Sequence, residues 1–260
     1  MPDVQNPIVF TDLDGTLLDH ETYGFDAAVP ALDLLKERGV PLILASSKTA
    51  AELVSLRERM GFAHCEAIVE NGAGILQPDH SAKGDDAPLQ DILTILDRAP
   101  LGLHRHFSGF SQWNIEEVCI RTGLAPPDAA AAKQRQYSEV GLWSGSPGQW
   151  RDFLGYLGEN GVAAQQGGRF ISLSFGASKA ARMTDIAENH LKRHGSAFVV
   201  ALGDAPNDIA MLEAVDLGII IPNPGHGGIA ALDGEATGQI IRADRPGPEG
   251  WNRAILALIK

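Results

Sequence analysis

The chain has 260 residues, 44% of them hydrophobic and 21% charged, which is the composition of an ordinary globular protein with one large domain or two smaller ones. A formal net charge of −12 argues against a nucleic-acid partner, because phosphate backbones attract a basic face, and no apolar run approaches the length of a membrane span. Two cysteines, Cys65 and Cys119, give neither a disulfide framework nor zinc spacing, and the N-terminus lacks a basic region followed by an apolar stretch; together these predict a cytoplasmic protein.

Taken in chain order, the sequence opens with an apolar, β-favouring run, Ile8-Val9-Phe10, that predicts a strand covered on both faces. Asp12 and Asp14 follow it at i, i+2, with Gly15 and Thr16 behind. Residues 26–38 carry Ala28, Leu32 and Leu35 at helical spacing and stop at Gly39, and 40–45 read as a second buried strand. A helix over 49–60 stops at Gly61, and a short strand at 67–69 turns at Glu70-Asn71-Gly72. This βαβαβ rhythm predicts a parallel sheet with helices packed on it.

The middle of the chain changes character. Residues 78–90 are rich in Pro, Asp, Ser and Gly and read as a linker. Helix signals follow at 89–98, 115–122 and 150–159, with strand-like pieces at 137–143 and 169–173. The earlier rhythm then returns: a helix over 178–194, a strand at 197–202, a helix over 206–215 opened by a proline, and a strand at 217–221. The expectation is an α/β fold whose core, residues 1–82 and 177–260, is interrupted by an inserted module at 83–176, with hinges near 78–84 and 174–177.

Two carboxylates held as close as Asp12 and Asp14 repel unless a cation neutralises them or one keeps a proton. The arrangement suits a hard cation with oxygen ligands such as magnesium, whose usual work is phosphate chemistry. Three further polar groups fall where the predicted strands end: Ser46, Ser47 and Lys48; Lys179, opening the helix after the insert; and Asp204, Asn207 and Asp208. Ligands bind outside the carboxyl ends of strands in open parallel sheets, so these groups should converge. On this reading Asp12 attacks a phosphoryl group and Asp14 protonates the leaving oxygen, then deprotonates the attacking water. Asp204, with Asn207 or Asp208, completes a magnesium site beside Asp12 and Asp14. Ser46 and Lys179 hold phosphoryl oxygens as charge develops on them.

The residues Asp12-Leu13-Asp14-Gly15-Thr16-Leu17-Leu18, Ser46, Lys179 and Gly203-Asp204-x-x-Asn207-Asp208 resemble the four motifs of the haloacid dehalogenase superfamily of phosphatases. The insert between the second and third motifs is similar to the large α/β cap of its Cof-type branch, where Glu-Asn-Gly also recurs near the hinge. "SSKTAAEL", "RTGL", "RQYSE", "GGRF" and "GPEGW" resemble the mannosyl-3-phosphoglycerate phosphatase subfamily from end to end of the chain. The resemblance implies a Rossmann-like parallel-sheet core with an inserted α/β cap domain, and a Mg2+-dependent phosphatase acting on a small phosphorylated sugar or sugar-acid. A glycosyl-3-phosphoglycerate is the substrate it points to. The chain departs from that subfamily at Ser172, where a His is typical, and at Ser178 and Ala180, which flank the retained lysine.

Three side chains have more than one reading. Arg169 in "GGRF" forks onto a substrate carboxylate or phosphate, or forms a hinge ion pair; Asn71 bonds substrate or shapes a turn. Lys48 adds charge at the phosphate or caps a helix, and Ser47 lies beside it, while Arg135 and Tyr137 in "KQRQYSE" read as structural. His104 and His106 could suggest a metal site, but no acidic or cysteine partner lies at ligand spacing, which argues against zinc there. Competing functions are a broader sugar-phosphate phosphatase, a phosphotransferase using the same aspartyl-phosphate, or a phospho-ligand sensor without turnover. The expected assembly is a monomer or homodimer.

Overall fold

The computed structural model describes residues 5–78, 87–167, 169–176, 178–225 and 227–259. Of the expected hinges, residues 79–84 and 177 lie outside the described residues, as does most of the expected linker. In chain order the strands are β1 (Pro7–Thr11), β2 (Leu42–Ala45), β3 (Ala67–Val69), β4 (Gly74–Leu76), β5 (Phe107–Gly109) and β6 (Glu139–Trp143), followed by β7 (Ala163–Gly167), β8 (Phe170–Ser174), β9 (Phe198–Gly203), β10 (Leu217–Ile220) and β11 (Ile240–Arg242). They form a seven-stranded sheet in the order β11-β10-β9-β1-β2-β3-β4 and a four-stranded sheet in the order β5-β6-β8-β7.

The larger sheet is parallel except for β4, which pairs antiparallel to β3. Its central strands are apolar on both faces: Ile8, Val9 and Phe10 of β1, Leu42 and Leu44 of β2, and Val200, Ala201 and Leu202 of β9 are all buried. Such strands are stable only when helices cover both faces. Helices Val29–Glu37 and Gly247–Leu258 pack on each other, as do Lys179–His194 and Ile209–Glu213. Trp251, fully buried, ties the last helix to the central strand by donating from Nε1 to Thr11 Oγ1 at 3.0 Å.

The antiparallel sheet lies in the inserted segment and has apolar clusters of its own. Ile92, Leu96, Phe107, Phe153, Leu157, Ile171 and Leu173 form one, and Phe110, Trp113, Val118, Ala129 and Ala132 form another. Phe153 is fully buried and stacks on Trp143, with ring centroids 4.7 Å apart. Among the described residues no helix is long and apolar enough to cross a membrane.

Several elements depart from the sequence-based expectation. The helix expected over 206–215 is a single tight turn, Pro206–Asp208, followed by a short helix, Ile209–Glu213. The last helix, Gly247–Leu258, has no counterpart in the sequence-based expectation; two glycines and a proline in its first turn weaken the local helix signal. β7, Ala-Ala-Gln-Gln-Gly, has little intrinsic strand preference and owes its conformation to pairing with β8 over all five residues.

Phe153→Ala removes the ring at the centre of the insert's larger cluster. The expected loss is about 3–5 kcal/mol of unfolding free energy, measured by denaturant titration, because the surrounding aromatics cannot close the cavity. A loss under about 1 kcal/mol would mean that this cluster does not hold the insert together.

Candidate active site

β1, β9 and β2 lie side by side, and each runs out into a polar residue at the same edge. Asp12 follows β1, Ser46 follows β2 and Asp204 follows β9. The Asp12 N–H still donates to Leu202 O at 2.9 Å and the Ser46 N–H to Ile68 O at 2.9 Å, so both residues are held by the sheet itself. Side chains fixed in this way are more precisely placed than side chains on free loops.

Beyond Asp12 the chain folds back on itself. Thr16 and Leu18 both donate their N–H to Leu13 O, at 3.1 and 2.8 Å, and Gly15 donates to Leu18 O at 3.0 Å. Gly15 has φ +87°, and a Cβ there would lie 2.2 Å from Asn223 Nδ2, so the turn and its neighbour both require glycine. The turn brings Asp14 to the cleft, where its carboxylate pairs with Lys48 Nζ at 3.0 Å. Burial alone would lower the Lys48 pKa, but Asp14 and Glu52 outweigh it and hold it above the usual lysine value.

Lys179 opens the helix Lys179–His194 and is only 4% exposed. Its ammonium donates to Asp12 Oδ1 at 2.5 Å and to Asp208 Oδ1 at 2.9 Å. Asp208 Oδ2 accepts in turn from the N–H groups of Asp204 and Ala205, at 3.3 and 3.2 Å. Burial pushes the Asp12 carboxyl well above the usual carboxylate value; Lys179 opposes that, while Asp208, Asp204 and Asp14 add to it. Burial acts on Lys179 in the lowering direction, yet Asp12 and Asp208 prevail and keep its pKa above the ordinary lysine value.

Asp204 is clamped from two sides, with Thr16 Oγ1 donating to Oδ1 at 2.7 Å and Asn223 Nδ2 donating to Oδ2 at 2.7 Å. Asp12, Asp204 and Asp208 each place a carboxylate oxygen within 4.8 Å of the others. An anionic, all-oxygen donor set fits a small hard cation. Asp12 and Asp204 line the cleft with Asp14 and Asn207, whereas Asp208 is fully buried with both oxygens already engaged.

A cleft of about 480 Å³ opens over these groups, a size suited to a small-molecule ligand. The core contributes Asp12, Asp14, Ser47, Lys48, Asn71, Lys179, Asp204 and Asn207, and the insert contributes Phe110, Leu124, Arg135, Gln165, Phe170 and Ser172. Ser46 is buried just beneath, its Oγ accepting from the Lys48 N–H at 3.2 Å. Asn71 has φ +59° and a buried Oδ1 with no hydrogen-bond partner among the described residues.

The structure does not bring Arg169 to the cleft. The residue is exposed, with its guanidinium 5.7 Å above the Phe170 ring, and it stands outside the lining. Phe170 and Ser172 of β8 face the cleft, whereas Arg169 lies in the turn that precedes β8. Arg135, read from sequence as structural, is the arginine that does line the cleft. Thr16 and Asn223 were also missed, although Asn223 follows a buried strand as Asp204 does and the strand-end rule reaches it.

Comparison with known proteins places this geometry among phosphatases. A family described as haloacid dehalogenase-like hydrolase matches residues 9–100 and 159–233. A glucosyl-3-phosphoglycerate/mannosyl-3-phosphoglycerate phosphatase from Methanococcoides burtonii is 33% identical over 97% of this chain and 97% of its own. Among solved structures, the fold is similar to a haloalkanoate-superfamily phosphatase from Bacteroides thetaiotaomicron, at TM-score 0.66 and 16% identity over 96% of this chain and 94% of that one. It is also similar to the sucrose-phosphatase of Synechocystis sp. PCC6803 solved with sucrose and phosphate, at TM-score 0.59 and 16% identity over 98% of both chains.

Lys179→Met takes the ammonium from between two buried carboxylates. At pH 8 in chelator the expected cost is about 3–5 kcal/mol, read from denaturant unfolding. Asp12 has a raised pKa when folded, so between that value and the ordinary one near ~3.9 the folded state binds a proton that the unfolded chain does not. Without Lys179, which opposes that rise, Asp12 of the variant keeps its proton to higher pH than the wild type does, so the penalty should shrink as the pH falls from 8 towards 5. A penalty that widens on acidification would contradict this electrostatic description.

Proposed function

The chain belongs to the haloacid dehalogenase-like hydrolases and is a phosphoric monoester hydrolase, and from that premise we propose that it cleaves a glycosyl-3-phosphoglycerate, with glucose or mannose as the sugar, in a Mg2+-dependent reaction through an aspartyl-phosphate. The observation that carries the mechanism is Asp12: a carboxylate at the end of the central strand, lining the cleft and held by Lys179 at 2.5 Å. Support for the substrate comes from the Methanococcoides burtonii relative, whose 33% identity extends over 97% of both chains.

In the first step an Asp12 oxygen forms a bond to phosphorus as the bond from phosphorus to the glycerate oxygen breaks, and Asp14 gives its proton to that departing oxygen. Asp14 is paired with Lys48 in the free protein, which holds its carboxyl group at the cleft beside the phosphoryl site. In the second step Asp14 takes a proton from water, the water oxygen bonds to phosphorus, and the Asp12–phosphorus bond breaks to release inorganic phosphate and restore both carboxyl groups. Lys179, Ser46, Ser47 and Lys48 supply positive charge and hydrogen-bond donors to the phosphoryl oxygens. Mg2+ held by Asp12, Asp14 and Asp204, with Asn207 and Asp208 beside them, would supply charge against those same oxygens. The insert, acting as a cap, would keep stray acceptors from the phosphoenzyme.

Asp12→Asn is nearly isosteric but its amide cannot form the acyl phosphate, so kcat should fall by at least about a thousandfold with the thermal transition little changed. More than a few per cent of wild-type turnover, on the order of what an indirect role leaves, would exclude Asp12 as the nucleophile.

Exhaustive chelation should abolish phosphate release, and Mg2+ should restore it where Ca2+ does not, because calcium takes more ligands at longer distances. Full activity in chelator would overturn the metal assignment.

A further inference from the structure

Arg135 lies between the helix Pro126–Ala132 and β6, lines the cleft and is 8% exposed. A guanidinium that deep needs partners for its donors. Nε donates to Ser138 Oγ at 3.2 Å and Ser138 O at 3.3 Å. Nη2 donates to Ser138 Oγ at 2.8 Å and Ser47 O at 3.4 Å, with Glu70 Oε2 at 3.5 Å. All the hydrogen bonds of the group among the described residues run from these two nitrogens, which leaves Nη1 for something in the cleft.

Glu70 makes the brace firm. It is 1% exposed, and its carboxylate accepts from the N–H of Gln136 at 2.9 Å, the N–H of Tyr137 at 3.2 Å and Ser138 Oγ at 2.6 Å. One edge of the Arg135 fork is therefore fixed to the core.

Position decides what the other edge can read. In a 3-phosphoglycerate unit a single carbon separates the phosphorylated carbon from the carboxylate, so the group that recognises the carboxylate must stand beside the phosphoryl site. Arg135 does, since its Nη2 touches the carbonyl of Ser47, between Ser46 and Lys48. Arg169 is exposed and off the cleft.

We propose that Arg135, braced by Glu70, binds the carboxylate of the phosphoglycerate unit through its free edge and so determines specificity for that substrate class. The assignment rests on the substrate reading of the preceding subsection. Arg135 is a specificity residue and Glu70 a positioning residue, neither being required for cleavage of the phosphorus–oxygen bond.

The test uses the full chain and two compounds: glucosyl-3-phosphoglycerate, and the same molecule with its carboxylate reduced to a hydroxymethyl group. The wild type should favour the carboxylate compound. In Arg135→Gln the ratio of the two kcat/KM values should fall by about ten- to a hundredfold, carried mainly by KM. Arg135→Lys keeps the charge without the fork, and its ratio should fall between the two. A mere strut would slow both reactions together, so a wild-type ratio in the variants overturns the assignment. If Arg135→Gln does not fold, the lysine variant decides alone by the same criterion. A wild type that hydrolyses neither compound overturns the substrate reading instead, and this inference with it.

Discussion

The site depends on one ammonium group. Asp12, Asp204 and Asp208 bring three carboxylates within 4.8 Å of one another at the largely buried floor of the cleft, a placement that would be strongly unfavourable without a buried cation. Lys179 supplies it, touching Asp12 on one side and Asp208 on the other. The insert therefore does more than interrupt the core in sequence: the chain must return from it at Lys179 for the charges on the first strand to be balanced. Asp208, its backbone N–H contacts and Thr16 with Asn223 fix the remaining geometry. Gly203 leaves room for this, since a Cβ there would lie 2.5 Å from the Asp208 Cβ.

What the sequence made legible was chemistry at strand ends. Asp12, Ser46 and Asp204 each follow an apolar run, and a parallel sheet of such runs leaves few other places for polar groups. Lys179 was legible by its position at a helix start after the insert. Arg169 reads as a cap contact because it sits at the end of the insert, but it lies in the turn before β8, exposed and over the Phe170 ring, a placement that local pattern does not report. Arg135 was hidden for a similar reason: its place is set by contacts with Glu70 and Ser47, more than sixty residues away, which local pattern cannot report. Asn223 and Thr16 act on Asp204 through hydrogen bonds rather than charge, a role that residue type alone leaves open.

Core and insert meet through polar contacts as well as packing. Glu70 accepts hydrogen bonds from Gln136, Tyr137 and Ser138, and Thr49 Oγ1 donates to Ala131 O at 3.0 Å. These bonds attach residues 131–138 to the same loops that carry Ser46, Lys48 and Asn71. One wall of the cleft is thus built on the rigid sheet, while the wall formed by β7 and β8 belongs to the insert. Such a division lets the reacting groups stay fixed while the groups that read the rest of a substrate vary.

The central claim is that Asp12 becomes covalently phosphorylated during turnover. Acid quenching of a single turnover, peptic digestion at acid pH and mass spectrometry of the peptide that carries Asp12 test it most directly. The expected result is a transient acyl phosphate on Asp12 that rises and decays as inorganic phosphate appears. Asp12 remaining unmodified throughout a turnover that is fast enough to be sampled would contradict the claim and point to direct attack by water.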